Sequence, residues 1–464
     1  MNKGIIALSV VLASELVLAG GNIKKEVSKA DITLPVSVKA KYVKKPITID
    51  DGNIHGYARI HHIFNGENNT FDPGTGSTLG LGLGYGLEVI PGLKIGVEAY
   101  GVMDSGLTET DGSENVAYGQ FMNTIKHPDE LDEGGTWGAH IRYEKNGFKA
   151  TLARSQFKSP MTKIQITHVP NMYEYARIDS KILGGNASLS FITKMAYGSR
   201  SAADFGLIGE KTGTAGMYLS PLTTVPSGTP PIERGKYYSI SDTVKKNDSN
   251  GIFVVGYEKK IGNVKLKVWD FLVDDVANNI FVEGDYNYKL GKGKVFKFSA
   301  HLWNQNISND FYKSKYGGTM LGAQAMLKWG PVIGKFAYES KDEGGLLNAW
   351  GSNPGYTSSI FSRNEYRGDV DAYKMTLVYK PLKNLKLMAS YADYGQSSMS
   401  SPTKPGKSPL MSQTNATERD LVIVYSPMKQ LTLKLFNANR TSEYSTSGKP
   451  RTQNHTRLIV NYTF

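Results

Sequence analysis

From Asn53 to the terminal Phe464, apolar residues recur at every second position in segments of roughly 9 to 14 residues, the length a tilted strand needs to cross a bilayer. Leu79, Leu81, Leu83, Tyr85, Leu87 and Val89 alternate mostly with glycine. Leu93, Ile95, Val97 and Ala99 alternate with Lys94, Gly96, Glu98 and Tyr100. Ile90-Pro91-Gly92 joins the two runs, its Pro and Gly presetting the dihedrals of a tight turn. Similar turns stand at Lys145-Asn146-Gly147, Leu183-Gly184-Gly185, Ile261-Gly262-Asn263, Leu290-Gly291-Lys292, Trp329-Gly330-Pro331, Lys380-Pro381-Leu382 and Ser426-Pro427-Met428. Long polar connections at 105–133, 158–172, 198–250, 343–367, 397–415 and 441–453 separate the hairpins. The pattern predicts about eighteen strands in an all-β fold, a transmembrane antiparallel up-and-down barrel. Its short turns face the periplasm and its long loops the outside. Soluble sandwiches rarely alternate short and long connections over such a length.

The 464 residues are only 40% apolar with a mean hydropathy of −0.34, and nothing in the mature part supplies the ~20 apolar residues of a membrane helix. A membrane barrel passes that test, because its strands average lipid-facing and lumen-facing residues. The absence of cysteine removes disulfides, thiol catalysis and zinc-thiolate sites. At the N-terminus, Lys3 is followed by an apolar run from Ile5 to Leu18, broken by Ser14 and Glu15, and Val17-Leu18-Ala19 fits a cleavage site before Gly20. The expected organisation is a signal peptide over 1–19, a periplasmic leader over 20–52 and a barrel over 53–464. Export makes nucleic acid an unexpected partner for a chain of net charge +12.

The last strand places Leu458, Val460, Tyr462 and Phe464 on one face and ends there. It resembles the signal that the barrel-assembly machinery of the Gram-negative outer membrane reads. If apolar residues face lipid, parity puts Arg59, Arg142, Lys194, Lys265, Lys267, Lys297, Lys335, Lys374, Lys386, Lys434, Arg440 and Arg457 in the lumen, against Glu88, Glu98, Glu144, Glu283, Asp285, Glu339 and Asp420. Closing the barrel would set Arg457 beside Arg59. A net basic lining focuses potential and enriches anions. Lumen charge is also what any barrel must carry, and Lys and Glu on neighbouring strands can pair across the wall.

Ala153-Arg154-Ser155-Gln156, the segment Lys158 to Lys163, the run His168-Val169-Pro170-Asn171-Met172-Tyr173-Glu174 and then Leu183 to Leu189 resemble OprD-family porins at the strand end, constriction loop and next strand of that family. The resemblance implies an eighteen-stranded barrel narrowed by loops 158–172 and 343–367, with a basic ladder for small carboxylate-bearing solutes. Candidate constriction residues are Lys163, His168 and Tyr173 from the first loop, with Arg363 and Arg367 from the second. The ladder here is lysine-rich, whereas that family's is mainly arginine.

The expected function is diffusion of small solutes through an outer-membrane porin favouring anions or carboxylates. A general non-selective porin and a fatty-acid transporter are the alternatives, followed by a barrel enzyme, for which the scattered histidines offer no triad. Expected partners are small anionic or carboxylate solutes, outer-membrane lipids and the barrel-assembly machinery, with a monomer or a homotrimer left open. No metal or cofactor site is expected, and the glycine run Leu79 to Gly86 reads as close-packed strand glycines.

Overall fold

The computed structural model describes residues 52–66, 74–108, 134–162, 168–198, 235–243, 247–313, 316–342, 344–348, 350–351, 354–360, 362, 364, 367–395, 413–444 and 450–464. The expected signal peptide and all but Gly52 of the leader lie outside them. The strands are β1 (Asn53–Asn65), β2 (Gly74–Ile90), β3 (Leu93–Asp104), β4 (Gly134–Lys145), β5 (Phe148–Ser155), β6 (Met172–Ile182), β7 (Gly185–Ala196), β8 (Tyr237–Ser239), β9 (Ile252–Ile261) and β10 (Val264–Val273). They continue as β11 (Ala277–Gly291), β12 (Lys294–Ile307), β13 (Gly318–Trp329), β14 (Val332–Lys341), β15 (Val370–Leu382), β16 (Leu385–Tyr394), β17 (Gln413–Tyr425), β18 (Leu431–Tyr444) and β19 (Arg451–Thr463).

Every ladder is antiparallel, and β19 returns to pair with β1, Tyr57 opposite Thr463 and Ile63 opposite Arg457. β8 is a three-residue stub on the end of β7, which pairs with β9 from Asn186 to Ile192. Nineteen strands less this stub leave eighteen that form the wall. This is the architecture expected from the alternation. The fifth strand ends at Ser155 rather than 157, because the chain turns inward and buries Phe157.

The hairpins close through the turns that the sequence marks. Asn146 and Gly147 take φ of 50° and 81°, and Leu183 and Gly184 take 50° and 74°. Two successive positive φ values match the twist of antiparallel strands. On the outer face Leu81, Leu83, Val97, Ile141, Leu152, Leu377 and Leu421 are all exposed, while their neighbours Gly82, Thr151, Val378 and Asp420 are buried. A soluble protein does not tolerate that much exposed apolar surface; a lipid-facing wall requires it. Tyr143, Trp329, Tyr379, Tyr425 and Tyr462 ring the short-turn end, and Trp137, Tyr338 and Tyr373 stand near the other, the interfacial positions that amphipathic rings favour.

Putting an arginine on the lipid face near mid-strand, as Leu83→Arg or Leu421→Arg, should destabilise the folded barrel by roughly 2–4 kcal/mol, whereas Gln324→Arg on the inner face should cost far less. Denaturant titration in lipid vesicles checks the difference. Equal losses at outer and inner positions would contradict the assigned faces.

Candidate functional site in the lumen

Two connections fold against inward-facing side chains. The first leaves β5 with Phe157, Met161 and Thr162 buried and reaches β1 and β2 at His168. There the Tyr57 hydroxyl donates to the His168 carbonyl, Thr78 Oγ1 lies 2.7 Å from His168 Nε2, and the His61 and His168 rings lie tilted against each other with centres 4.0 Å apart. Gly80 makes room for this: a Cβ there would lie 2.1 Å from His168 Nδ1. Gly80 is thus the floor on which His168 seats, while Gly82 and Gly84 make room for Tyr57, Tyr100 and His55 of the wall.

The second connection runs between β14 and β15. Glu339 accepts from the Tyr356 amide and the Thr357 hydroxyl. The Tyr356 hydroxyl donates to Glu283 at 2.9 Å, and the Tyr394 hydroxyl to the Thr357 and Ser362 carbonyls at 2.7 and 2.9 Å. Lys374 Nζ donates to the Ser358 carbonyl at 2.7 Å, and the Ser362 amide to Glu418 at 2.7 Å. The two connections also meet, for a Cβ on Gly351 would stand 1.8 Å from the Met161 carbonyl oxygen, and nearby Tyr173 of β6 donates its hydroxyl to the Trp350 carbonyl at 2.5 Å. Trp350 in turn donates its indole N–H to Thr243 at 2.8 Å. Around this meeting point Phe157, Tyr173, Trp269, Phe271, Phe281, Trp303 and Trp350 form one buried cluster inside the barrel.

Several candidate residues hold these connections in place. His168 and Tyr173 are at most 1% exposed and anchor loop to wall rather than lining free space. Arg367 is buried with its guanidinium 4.8 Å from the centre of the Tyr394 ring. Lys163 and Arg363 lie outside the described residues. Arg457 is only 5% exposed and packs 5.6 Å from the Phe436 ring centre. It faces Ile63, not Arg59, whose partner in register is Asn461 and whose Nε donates to the Asn461 side chain at 2.8 Å. The expected Arg457–Arg59 rung is therefore offset by the barrel's shear, although both cations lie close enough to act on His168.

The inward lysines divide in two. Lys265 pairs with Glu258 at 2.6 Å, and Lys297 with Asp285 at 2.7 Å. Lys267 pairs with Glu283 and lies 3.3 Å from Asp285. Lys374 stands 3.9 Å from Asp420. Glu258 was absent from the inward set read off the sequence, although parity along β9 from Ile252 and Val254 points it inward. Arg142 and Lys335, by contrast, have no carboxylate within 4 Å among the described residues. Arg142 sits on one hydrogen-bonded row with Lys94, Thr151 and Arg177 across β3 to β6. Lys335 sits on another with Met326 and Lys297. Arg177 is an inward cation that, like Lys94 and Lys149, is missing from the set read off the sequence. It follows Tyr173 and Tyr175 at the same parity, bonds Asp179 at 2.7 Å and lies 5.3 Å from the Phe157 ring centre.

Lys194 is corrected outright. The β6–β7 register shifts between Glu174 and Tyr175, so β7 carries one extra residue at Thr193. A bulge of this kind reverses the parity beyond it. Lys194 consequently points outward, 3.5 Å from Glu174.

Neither a family model nor a curated protein matches the chain. Solved structures do. OccAB2 of Acinetobacter baumannii superposes with a TM-score of 0.69 at 13% identity, covering 90% of this chain and 98% of its own. OccK9 (OpdG) of Pseudomonas aeruginosa gives 0.69 at 14%, covering 90% and 99%. OpdK of the same organism, solved with vanillate, gives 0.66 at 13%, covering 89% and 99%. The resemblance to OprD-family porins thus holds throughout the barrel at the level of fold.

Burial, reinforced by the positive Arg59 and Arg457, lowers the His168 imidazole from 6.5 to about 3. A released loop takes up a proton near pH 6.5 that the docked loop refuses until about pH 3. Docking is therefore strongest above pH 6.5 and weakens as pH falls through that window. Single-channel conductance of the wild type should rise or become noisier on acidification. His168→Gln should lose that response, and an unchanged pH profile in this variant would assign the effect to another group. Gly80→Val should displace the same loop at neutral pH and raise conductance with the barrel intact.

Proposed function

We propose that this chain is an outer-membrane porin that passes small solutes and favours anions, carboxylates among them. The observation that carries the preference is the pair of inward basic rows, Lys94, Arg142 and Arg177 on one side and Lys297 and Lys335 on another, with Arg142 and Lys335 lacking carboxylate partners among the described residues. A cation in a low-dielectric channel raises the local anion concentration, and a guanidinium holds a carboxylate in two bonds. The loops that cross to Glu339, Glu418 and Tyr57 narrow the path between these rows. The fold shared with OpdK, which was solved with the carboxylate vanillate, supports the same class of solute. The outward apolar wall, the aromatic girdles and the closure of β19 on β1 support outer-membrane residence.

The ion pairs of Lys265, Lys267, Lys297 and Lys374 favour a second reading, a general porin with weak selectivity. They cancel much of the positive charge that the sequence places in the lumen, so anion preference falls to the cations left over.

Reversal potential in a salt gradient separates the two. Wild type should be anion-selective, with conductance blocked by small carboxylates. Arg142→Glu and Lys335→Glu should each shift the potential toward cations, the Lys265→Glu change being smaller because Glu258 already offsets that charge. Cation selectivity of the wild type would overturn the preference, and a zero potential would establish the general porin.

A further inference from the structure

At the long-loop end of β5, β6 and β7, Arg154, Glu174 and Lys194 face outward together. Arg154 Nε and Nη2 each lie 2.6 Å from Glu174 Oε2, Lys194 Nζ lies 3.5 Å from Oε1, and the Thr193 hydroxyl donates to Oε1 at 2.9 Å. The guanidinium stands 5.0 Å from the centre of the Tyr237 ring and 5.8 Å from that of Trp137. Tyr237 belongs to the short β8 stub on the end of β7, its hydroxyl donating to the Trp137 carbonyl at 3.1 Å.

Beneath this group a groove of about 700 Å³ runs down the outer wall over Ile95, Val97, Ile141, Leu152, Ala176 and Phe191, with Arg154, Glu174 and Thr193 at its head. None of these side chains touches the pore lumen, so solute transport gives them no role.

Charge on a lipid-facing wall is costly unless it is paired or meets a headgroup. Glu174 offsets one cation only. Arg154 and Lys194 outnumber it, and Glu174 aims both at the head of the groove. A positive head joined to an apolar trough is complementary to an anionic amphiphile. A bare trough would accept any acyl chain, so the head is what selects.

We propose that this groove binds a phosphorylated, acylated lipid of the outer leaflet, its phosphate at Lys194 and Arg154 and an acyl chain along Leu152, Ile141 and Val97. The assignment of leaflet rests on the porin reading, which puts the long-loop end outside. Arginine and lysine at such a surface each contribute about 1 kcal/mol, or roughly fivefold in affinity.

Native mass spectrometry of the full folded chain in detergent tests this, with bisphosphorylated lipid A and its dephosphorylated form as probes. Wild type should retain the phosphorylated lipid and release the other. Lys194→Gln should cut retention about fivefold, whereas the Arg154→Gln/Glu174→Gln pair, which removes one charge of each sign, should reduce it less. Ala176→Trp should fill the trough and reduce retention without altering charge, which keeps the test intact if either charge variant fails to fold. Equal retention of the two lipids, or retention unaffected by Lys194→Gln and Ala176→Trp, overturns the proposal. So does loss of an oligomer mass in place of lipid, which would assign the groove to a second copy of the chain. Conductance measured on the same preparations judges the porin reading separately: a conducting barrel without lipid preference sinks only the lipid site, and a silent barrel that retains phosphorylated lipid sinks only the pore.

Discussion

The pairing of β19 with β1 is the interaction on which everything else rests. Each unpaired backbone amide or carbonyl in hydrocarbon costs several kcal/mol, and an open sheet would expose a full row of them at each edge. Nine residue pairs from Tyr57–Thr463 to Asn65–His455 remove both edges at once. Gly56 and Phe464 add reciprocal backbone bonds of 2.8 and 3.1 Å beyond the last pair. A Cβ at Gly56 would sit 2.7 Å from the Phe464 ring, so the final aromatic closes over a residue that has no side chain. Phe464 thus has a local structural task at the seam.

Closure inverts the usual arrangement of a folded chain. Apolar residues go to the outside, and the polar residues left inside must find partners across a curved wall. Water can solvate them only where the lumen is open. Where the loops fill it, direct pairing takes over: Glu339 is fully buried, yet it accepts from Tyr356 and Thr357, and His301 lies 3.5 Å away. The same requirement accounts for the mixture of cations and carboxylates between β9 and β12. A lumen of isolated lysines would repel itself; one of matched pairs with a few unmatched cations is stable and still carries a field.

The inward connections depend on residue size as much as on charge. Gly80, Gly82 and Gly84 leave space that His168, Tyr57, Tyr100 and His55 occupy. Opposite them, aromatic residues from β6, β10, β11 and β12 pack against the loops. One part of the wall is thinned to receive a loop and another is thickened to meet it, so both connections seat against inward-facing side chains.

The alternation by itself determined the strand number, the tight turns and the face of nearly every wall residue. A period of two is a local property, fixed by the pleat and readable wherever one face meets lipid. It therefore placed Arg59, Arg142, Lys265, Lys335 and Lys374 inward without knowledge of their neighbours. It failed at Lys194, where one extra residue at Thr193 flips the face, because nothing in the local pattern marks a bulge whose partner strand is twenty residues away. Only the tertiary structure decided which charges cancel, since that depends on register and shear around the barrel, and only it showed that His168, Tyr173, Arg367 and Arg457 are buried anchors. Their surroundings come from segments far apart in the chain, such as Tyr57 against His168 and Tyr173 against Trp350, and contacts at that separation leave no period in the sequence.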